Sequence, residues 1–202
     1  MTKGRRREHF QWNADIIGQS EVTAEAEILL LLINACREMG LTDAEFRIFL
    51  NDRRILNSIL EKIEVPPNLH DSVLVIMDKR DKVSPESFSE MLVESGMNSS
   101  QVEQLKEHLA IPELESLSKL LPDCEGITAL KELSELIKIS GFSSYIQFDV
   151  SIVRGLSYYT GPVFEMNHPQ KSHRAICGGG RYDSLLSTCL LYTSDAADES
   201  VS

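Results

Sequence analysis

A long run of short amphipathic helices, from Asp52 to Ser140, interrupts a pattern that is otherwise typical of β-strands. Apolar residues recur at every second position in residues 46–50, before the helical run, and in residues 146–150, after it. Alternation of this kind indicates strands, whereas spacings of three and four indicate helices. The order therefore predicts an α+β fold, in which an antiparallel sheet with flanking helices carries a mainly helical insertion.

A further strand is predicted near the start of the chain, in residues 8–17. The residues at even-numbered positions are apolar, namely Phe10, Trp12, Ala14 and Ile16. Those at odd-numbered positions are polar, namely Gln11, Asn13 and Asp15. Such a strand would bury one face and expose the other. A helix is predicted to follow from about Glu21 to Met39, with Gly40 at its C-terminal cap.

Residues that favour helix ends divide the helical run: Pro85 after Ser84, a capping box from Ser100 to Glu103, Gly96 and Gly141. The two glycines are expected to end helices in residues 85–95 and 127–140. Beyond them, residues 163–166 and 174–177 are predicted to be short strands.

Composition narrows the possible functions. The 202 residues carry 20 Lys and Arg against 31 Asp and Glu, and the resulting net charge of −11 by itself disfavours nucleic-acid binding, although residues 3–7 form a basic cluster. The four cysteines include no Cys-x-x-Cys pair, which argues against a zinc site or a disulfide framework and predicts a cytosol-like compartment. The longest apolar run, residues 28–33, is far shorter than the roughly 20 residues of a membrane span.

Three segments combine polar side chains with strands or glycines, as ligand sites do: RRREHFQWNADIIG from Arg5, DVSIVRGLSYYTGPVFE from Asp149 and CGGGRYDSL from Cys177. In the first, Gln11 and Asp15 would lie roughly 13 Å apart along the strand, a span that suits a small polar ligand. The glycine turn in the third permits close approach of the backbone to a ligand or to another strand. It is not a P-loop, because the Gly-Lys-Ser/Thr ending is missing.

In this order, the three segments resemble class II histidyl-tRNA synthetases. The first resembles the second half of that family's motif 2, and VRGLSYYTG and GGGRYD resemble its two histidine-specific motifs. The resemblance extends from about Lys3 to Ser187 and includes LNDRRIL and VIMDKRDKV. It implies a histidine–tRNA ligase, which uses ATP as a substrate to form histidyl-adenylate and transfers the histidine to tRNA(His). Mg²⁺ is expected, although the sequence identifies no ligand for it.

The resemblance also implies which residues bind histidine. Gln11 would face the α-amino group of the substrate. Asp15 and Tyr159 would form hydrogen bonds with the imidazole, in a pocket lined by Tyr158 and Tyr182. Because such a pocket pairs polar groups with the substrate ring, it would reject analogues that leave those groups unpaired.

The reaction with ATP is assigned to arginines in the same way. Arg5 and Arg7 would lie in a loop that contacts ATP and the acceptor end of the tRNA. Arg154 would contact the substrate carboxylate and the α-phosphate, and its permanent charge would stabilise the negative charge that develops on phosphorus. Arg154 is therefore the predicted catalytic residue.

The resemblance further divides the chain. Residues 1–54 and 141–187 would form part of the catalytic core, residues 55–140 a helical insertion domain, and residues 188–202 an atypical tail, either frame-shifted or a separate final exon. The chain would be an internal fragment without motif 1, motif 3 or the anticodon-binding domain, and we expect it not to adenylate histidine by itself. The complete protein is expected to be a homodimer in the cytoplasm or an organelle, without membrane attachment.

Other functions fit the same fold. The regulatory subunit of ATP phosphoribosyltransferase, a binding module of histidine biosynthesis, resembles the synthetases in architecture. A synthetase-like domain fused to a kinase and a purely structural α+β domain are further alternatives. The joint presence of the predicted pocket residues in three ordered segments favours the enzyme.

Overall fold

The computed structural model describes residue 8 and residues 10–153, 158–172 and 174–185, apart from the side chain of Asp81. In chain order the elements are α1 (Thr23–Glu38), β1 (Arg47–Asp52), α2 (Arg53–Lys62), α3 (His70–Met77), α4 (Pro85–Glu94), α5 (Ser99–Leu109), α6 (Leu114–Leu120), α7 (Glu125–Ile139), β2 (Ile146–Phe148), β3 (Pro162–Asn167) and β4 (Cys177–Gly180). The predicted α+β class is confirmed. The described helices, of which α1 is the longest at 16 residues, include none that is long and apolar enough to cross a bilayer.

The four strands form one sheet in the order β2-β1-β3-β4. β3 pairs antiparallel with both β1 and β4, whereas β1 and β2 are parallel. The sheet is therefore mixed, while the sequence predicted an antiparallel one. The reason is the helical run: parallel neighbours need a long crossover connection, and α2 to α7 supply it between β1 and β2.

The two faces of the sheet have different neighbours. Ile48, Leu50, Phe164 and Met166 point to one face and pack into the main hydrophobic core with the helices. Phe49 and Val163, on adjacent strands, point to the opposite face and belong to a second, smaller cluster. We call this second side the far face. It is the side on which most of the predicted pocket residues lie.

Helix α7 connects the helical run to the sheet. Its buried residues Ile127, Leu130, Leu133 and Ile137 recur at spacings of three and four, so that one apolar stripe faces the core. The helix contacts α1, α2, β1 and β3. The predicted helical character of residues 55–140 is confirmed, and their standing as a separate domain stays a prediction.

The structure confirms the predicted helix ends at Gly40, Gly96 and Gly141, which adopt φ values of 87°, 109° and 81°. The predicted capping box from Ser100 to Glu103 is wrong by two residues. The Asn98 side chain accepts from the Gln101 N–H at 2.9 Å, and the Gln101 side chain accepts from the Asn98 N–H at 3.0 Å. Asparagine is an equally good N-cap residue, so the helix begins at the earlier of two overlapping patterns.

Two strand predictions need correction. Residues 10–17 form no strand, and Phe10 and Trp12 in this segment are 108% and 62% exposed. A strand requires a hydrogen-bonded neighbour, and none of the described strands pairs with this segment, so alternation alone does not produce one. The strand expected at residues 174–177 lies instead at Cys177–Gly180, in the glycine run that was predicted to be a turn.

Candidate functional site

The candidate site is built on a small apolar base on the far face of the sheet. Phe49 from β1 and Val163 from β3 pack there with Ile152 and Tyr159, each at most 7% exposed. Ile152 and Tyr159 belong to the segments that follow β2 and precede β3. The base therefore holds two points within the segment from Asp149 to Glu165 that the sequence analysis singled out.

Three tyrosines lie together on this base, and we call them the tyrosine cluster. The ring centroids of Tyr158 and Tyr159 are 4.8 Å apart, and those of Tyr158 and Tyr182 are 6.4 Å apart with nearly perpendicular planes. Both distances are in the range of favourable aromatic contacts. Tyr159 is buried and Tyr158 is 39% exposed, so the cluster presents aromatic surface to a ligand from a fixed support.

Asp15 meets the tyrosine cluster through a hydrogen bond. The Tyr182 hydroxyl donates to Oδ1 of Asp15, and this bond to a carboxylate raises the pKa of Tyr182 to about 12. The phenol therefore remains a protonated donor at neutral pH. A carboxylate has acceptor capacity for several hydrogen bonds, so Asp15 can accept a further N–H from a ligand.

Strand β4 lies so close to its neighbours that Gly179 and Gly180 have no room for a side chain. A Cβ at Gly180 would lie 2.8 Å from Tyr159 Cδ1 and 2.8 Å from Val163 Cγ1, and one at Gly179 would lie 2.9 Å from the Phe164 ring on the other face of the sheet. The predicted close approach is confirmed, and β4 makes it to the neighbouring strand β3. The glycine at position 180 allows Tyr159 to pack directly against the β4 backbone.

A buried asparagine holds the chain that leads into the string VRGLSYYTG. Asn51, which is 0% exposed, donates two hydrogen bonds of 2.9 Å from Nδ2 to the backbone carbonyls of Val150 and Ile152. Its Oδ1 has no partner within the described residues. Sequence reasoning missed this residue, because Asn51 lies 99 residues from the first carbonyl that it binds.

A lysine and an aspartate border the site beside Phe49. The Lys171 ammonium contacts the Asp149 carboxylate and lies 4.5 Å from the centroid of the Phe49 ring. Burial by itself would raise the pKa of Asp149, but hydrogen bonds from Lys171 and Ser151 outweigh it and lower that pKa. Asp149 is therefore ionised at neutral pH and fixes Lys171 over the ring.

Arg181 was also missed as a site residue. Its guanidinium donates to both carboxylate oxygens of Glu25, at 2.6 and 2.7 Å, and these bonds raise the pKa of Arg181. Glu25 lies in the first turn of α1, 156 residues earlier in the chain, and a pair so distant leaves no periodic signal in a sequence.

Of the predicted site residues, the structure brings four together: Asp15, Tyr158, Tyr159 and Tyr182. Gln11 is exposed, and its Nε2 donates to Asn13 Oδ1 at 3.0 Å, so the structure shows no contact between Gln11 and the cluster. Arg5, Arg7 and Arg154 lie outside the described residues. The roles of all eight residues stay predictions.

The described residues contain no group of three or more His, Cys, Asp or Glu side chains placed to hold a metal ion. These side chains do not form a metal site of their own, and no catalytic step is assigned to magnesium. A groove of about 510 Å³ lies between α1 and α7, and none of the site residues lines it.

Comparison with known proteins agrees with the geometry of the site. Residues 1–196 match the family model for histidyl-tRNA synthetase. The chain belongs to the histidyl-tRNA synthetase family. Among curated relatives, the chloroplastic/mitochondrial histidine–tRNA ligase of Arabidopsis thaliana is 43% identical over 189 residues, which are 93% of this chain and 39% of that protein. The family resemblance that was identified from the three segments is confirmed.

Solved structures of family members share the fold. Histidyl-tRNA synthetase from Nostoc sp. PCC 7120 matches with a TM-score of 0.75 and 23% identity, over 85% of this chain and 43% of that one. An ATP phosphoribosyltransferase regulatory subunit/histidyl-tRNA synthetase from Bacillus halodurans matches with a TM-score of 0.70 and 24% identity, over 84% of this chain and 45% of that one. The chain thus spans less than half the length of these histidyl-tRNA synthetase relatives.

Proposed function

We propose that this chain is part of the catalytic domain of a histidine–tRNA ligase, which activates histidine with ATP and transfers it to tRNA(His). The observation that carries the proposal is the meeting of Asp15, Tyr158, Tyr159 and Tyr182 on the far face, because they come from three separate family motifs. Membership of the family and the names of its curated relatives support the same activity.

The pocket would select histidine by pairing polar groups with the imidazole ring. Asp15 accepts a hydrogen bond from the Tyr182 phenol, which orients its carboxylate, and it would accept a second from an imidazole N–H. Tyr159 would provide another polar contact and Tyr158 an aromatic wall. A ligand without ring nitrogens would desolvate Asp15 without supplying this second hydrogen bond, and such a penalty discriminates more strongly than size alone.

Arginine side chains would act on the nucleotide. Arg154 follows the segment 150–153 that Asn51 anchors, and we propose that its guanidinium binds the α-phosphate and stabilises the charge developing there. Arg5 and Arg7 would contact ATP and the tRNA acceptor end, and Gln11 the α-amino group of histidine. ATP is a substrate in this scheme.

The second candidate is the regulatory subunit of ATP phosphoribosyltransferase. Its support is structural likeness below 25% identity, which concerns the fold alone. Curated relatives at 34–43% identity carry the name histidine–tRNA ligase. We therefore prefer the ligase, and the assay below separates the two.

The test is histidine-dependent exchange of pyrophosphate into ATP by the complete protein. We expect exchange with histidine and not with phenylalanine, and Asp15→Asn should raise the KM for histidine with little change in the KM for ATP. Asp123→Asn is the matched control, since it makes the same chemical change at an exposed position between α6 and α7. Histidine binding without exchange would favour the regulatory subunit, and absence of binding would refute both.

Two further features of the complete protein stay predictions. We propose that it is a homodimer, which sedimentation equilibrium of the complete protein would test. A cytoplasmic location is likewise a prediction, to be tested by fluorescence microscopy of the tagged complete protein.

A further inference from the structure

Asp15 needs support that its own segment does not supply. Residues 10–20 form neither helix nor strand, and Asp15 itself is exposed. A carboxylate that has to meet a ligand within hydrogen-bonding distance must be held to a fraction of an ångström. The contacts that hold this segment against the rest of the molecule therefore decide the shape of the site.

Arg181 contacts the end of this segment and the start of α1 that follows it. Besides its two bonds to Glu25, the guanidinium donates to the backbone carbonyl of Glu21 at 3.1 Å and to that of Gln19 at 3.4 Å. It thus binds the turn that directly precedes α1 as well as the helix itself. Asp15 lies only four residues before Gln19, so the turn bound by Arg181 limits where Asp15 can lie.

The ion pair of Arg181 and Glu25 is largely shielded from solvent. The side chains of Arg181 and Glu25 are 12% and 11% exposed. The Arg181 side chain lies flat against Gly161, where a Cβ would come within 3.0 Å of Arg181 Cδ. A forked guanidinium binds a carboxylate with two parallel bonds, and a lysine at the same place could not reproduce that geometry.

The backbone of the same residue holds the other half of the site. The carbonyl of Arg181 accepts from the Thr160 N–H at 2.8 Å, directly after Tyr158 and Tyr159. The next residue, Tyr182, donates to Asp15. Residues Arg181 and Tyr182 therefore contact both the segment that contains Asp15 and the segment that contains the other two tyrosines.

We propose that Arg181 is a positioning residue for the histidine pocket, which fixes Asp15 against the tyrosine cluster through its bidentate pair with Glu25. The inference rests on the proposed function and extends it to two residues that do not contact the ligand. Its consequence is that histidine affinity depends on a contact at the start of α1, behind the pocket.

The experiment uses the complete protein with Arg181→Lys and Glu25→Gln. Both changes keep the size of the side chain nearly constant and remove the bidentate pair. We expect the KM for histidine to rise by about ten- to hundredfold, as small misplacements of substrate-binding groups do, while the KM for ATP stays unchanged. The double variant should resemble the single ones, because both changes break the same contact.

A control separates positioning from a general loss of stability. Arg54→Gln breaks the bidentate pair between Arg54 and the buried Asp52, on the opposite face of the sheet. It should lower the melting temperature without changing the KM for histidine. If it raises that KM as much as Arg181→Lys does, the positioning role is refuted.

Hydrogen exchange gives a readout that does not depend on activity. In Glu25→Gln, amides of residues 15–21 should exchange faster than in the wild type, while those of α7 keep their rates. Unchanged exchange in residues 15–21 would overturn the inference, and so would faster exchange with an unchanged KM for histidine. If the wild type lacks histidine-dependent pyrophosphate exchange, the proposed function has failed, and hydrogen exchange alone then decides whether Arg181 holds the segment.

Discussion

Replacing Gly180 with alanine tests how closely β4 approaches the site. The added Cβ would lie 2.8 Å from Tyr159 Cδ1, 2.8 Å from Val163 Cγ1 and 3.0 Å from the Pro162 carbonyl oxygen. Carbon atoms prefer separations of about 3.5–4.0 Å, so the neighbours must move by roughly 1 Å. The carbonyl belongs to the backbone of β3 and cannot rotate away, and the displacement therefore falls on the side chains of Tyr159 and Val163.

Overpacking of this kind costs about 1–3 kcal/mol, and we expect Gly180→Ala to lower the free energy of unfolding by that amount in urea denaturation. Because Tyr159 moves, the Kd for histidine should also increase, as measured by titration calorimetry on the complete protein.

Gly40→Ala is the control for this prediction. Gly40 has φ of 87° and nothing within 4 Å of its Cβ position, so alanine there costs about 1–2 kcal/mol of backbone strain and leaves the histidine Kd unchanged. Wild-type stability and wild-type affinity in Gly180→Ala would show that β4 and Tyr159 are not packed as described, and would refute the reasoning.

Three further changes give separate predictions. Asn51→Leu leaves two backbone carbonyls without a donor and should lower the free energy of unfolding by about 2–4 kcal/mol in urea denaturation. As a control, Asn34→Leu at an exposed position of α1 should lower that free energy much less. In Lys171→Met, acid unfolding should begin at higher pH. The lowered pKa of Asp149 stabilises the fold above its ordinary value of 3.8, and this contribution is lost as pH falls through the folded pKa. Removing the hydrogen bond and charge of Lys171 moves that pKa up. Circular dichroism against pH measures the shift, and an unchanged profile would contradict it. Asp15→Asn removes the carboxylate that raises the pKa of Tyr182, so phenolate absorbance should show this tyrosine titrating closer to pH 10. In the wild type, the protonated phenol stabilises the fold below pH 10, and this contribution is lost between pH 10 and about 12.

Local patterns predicted most of the elements, because each depends on neighbours in the sequence. The glycines at positions 40, 96 and 141 end helices by their own backbone conformation, and the alternating residues 46–50 and 146–150 overlap the strands Arg47–Asp52 and Ile146–Phe148. Residues 10–17 alternate equally well and form no strand, since a strand also needs a partner that its own sequence does not specify. Residues 178–180 showed no strand pattern, because glycine has no side chain to alternate.

The site was predictable only where a family motif contains it. Asp15, Tyr158, Tyr159 and Tyr182 were singled out from the three segments, and the structure brings them together. The supporting residues Asn51 and Arg181 also lie in the strings LNDRRIL and CGGGRYDSL, but their roles were not predicted. Asn51 and Arg181 act through bonds to residues 99 and 156 positions away, and no period or spacing in one sequence encodes such a distance.

The contact between Asp15 and Tyr182 spans 167 residues. On the ribosome the chain emerges from its N-terminus, and helices α1 to α7 can collapse onto β1 while β4 is still being synthesised. The pocket, by contrast, cannot close until Tyr182 has left the exit tunnel. A nascent chain could therefore have formed its hydrophobic core and still lack the proposed histidine site. Free histidine would stabilise the protein only after Tyr182 has been translated, and would not assist the earlier stages of folding.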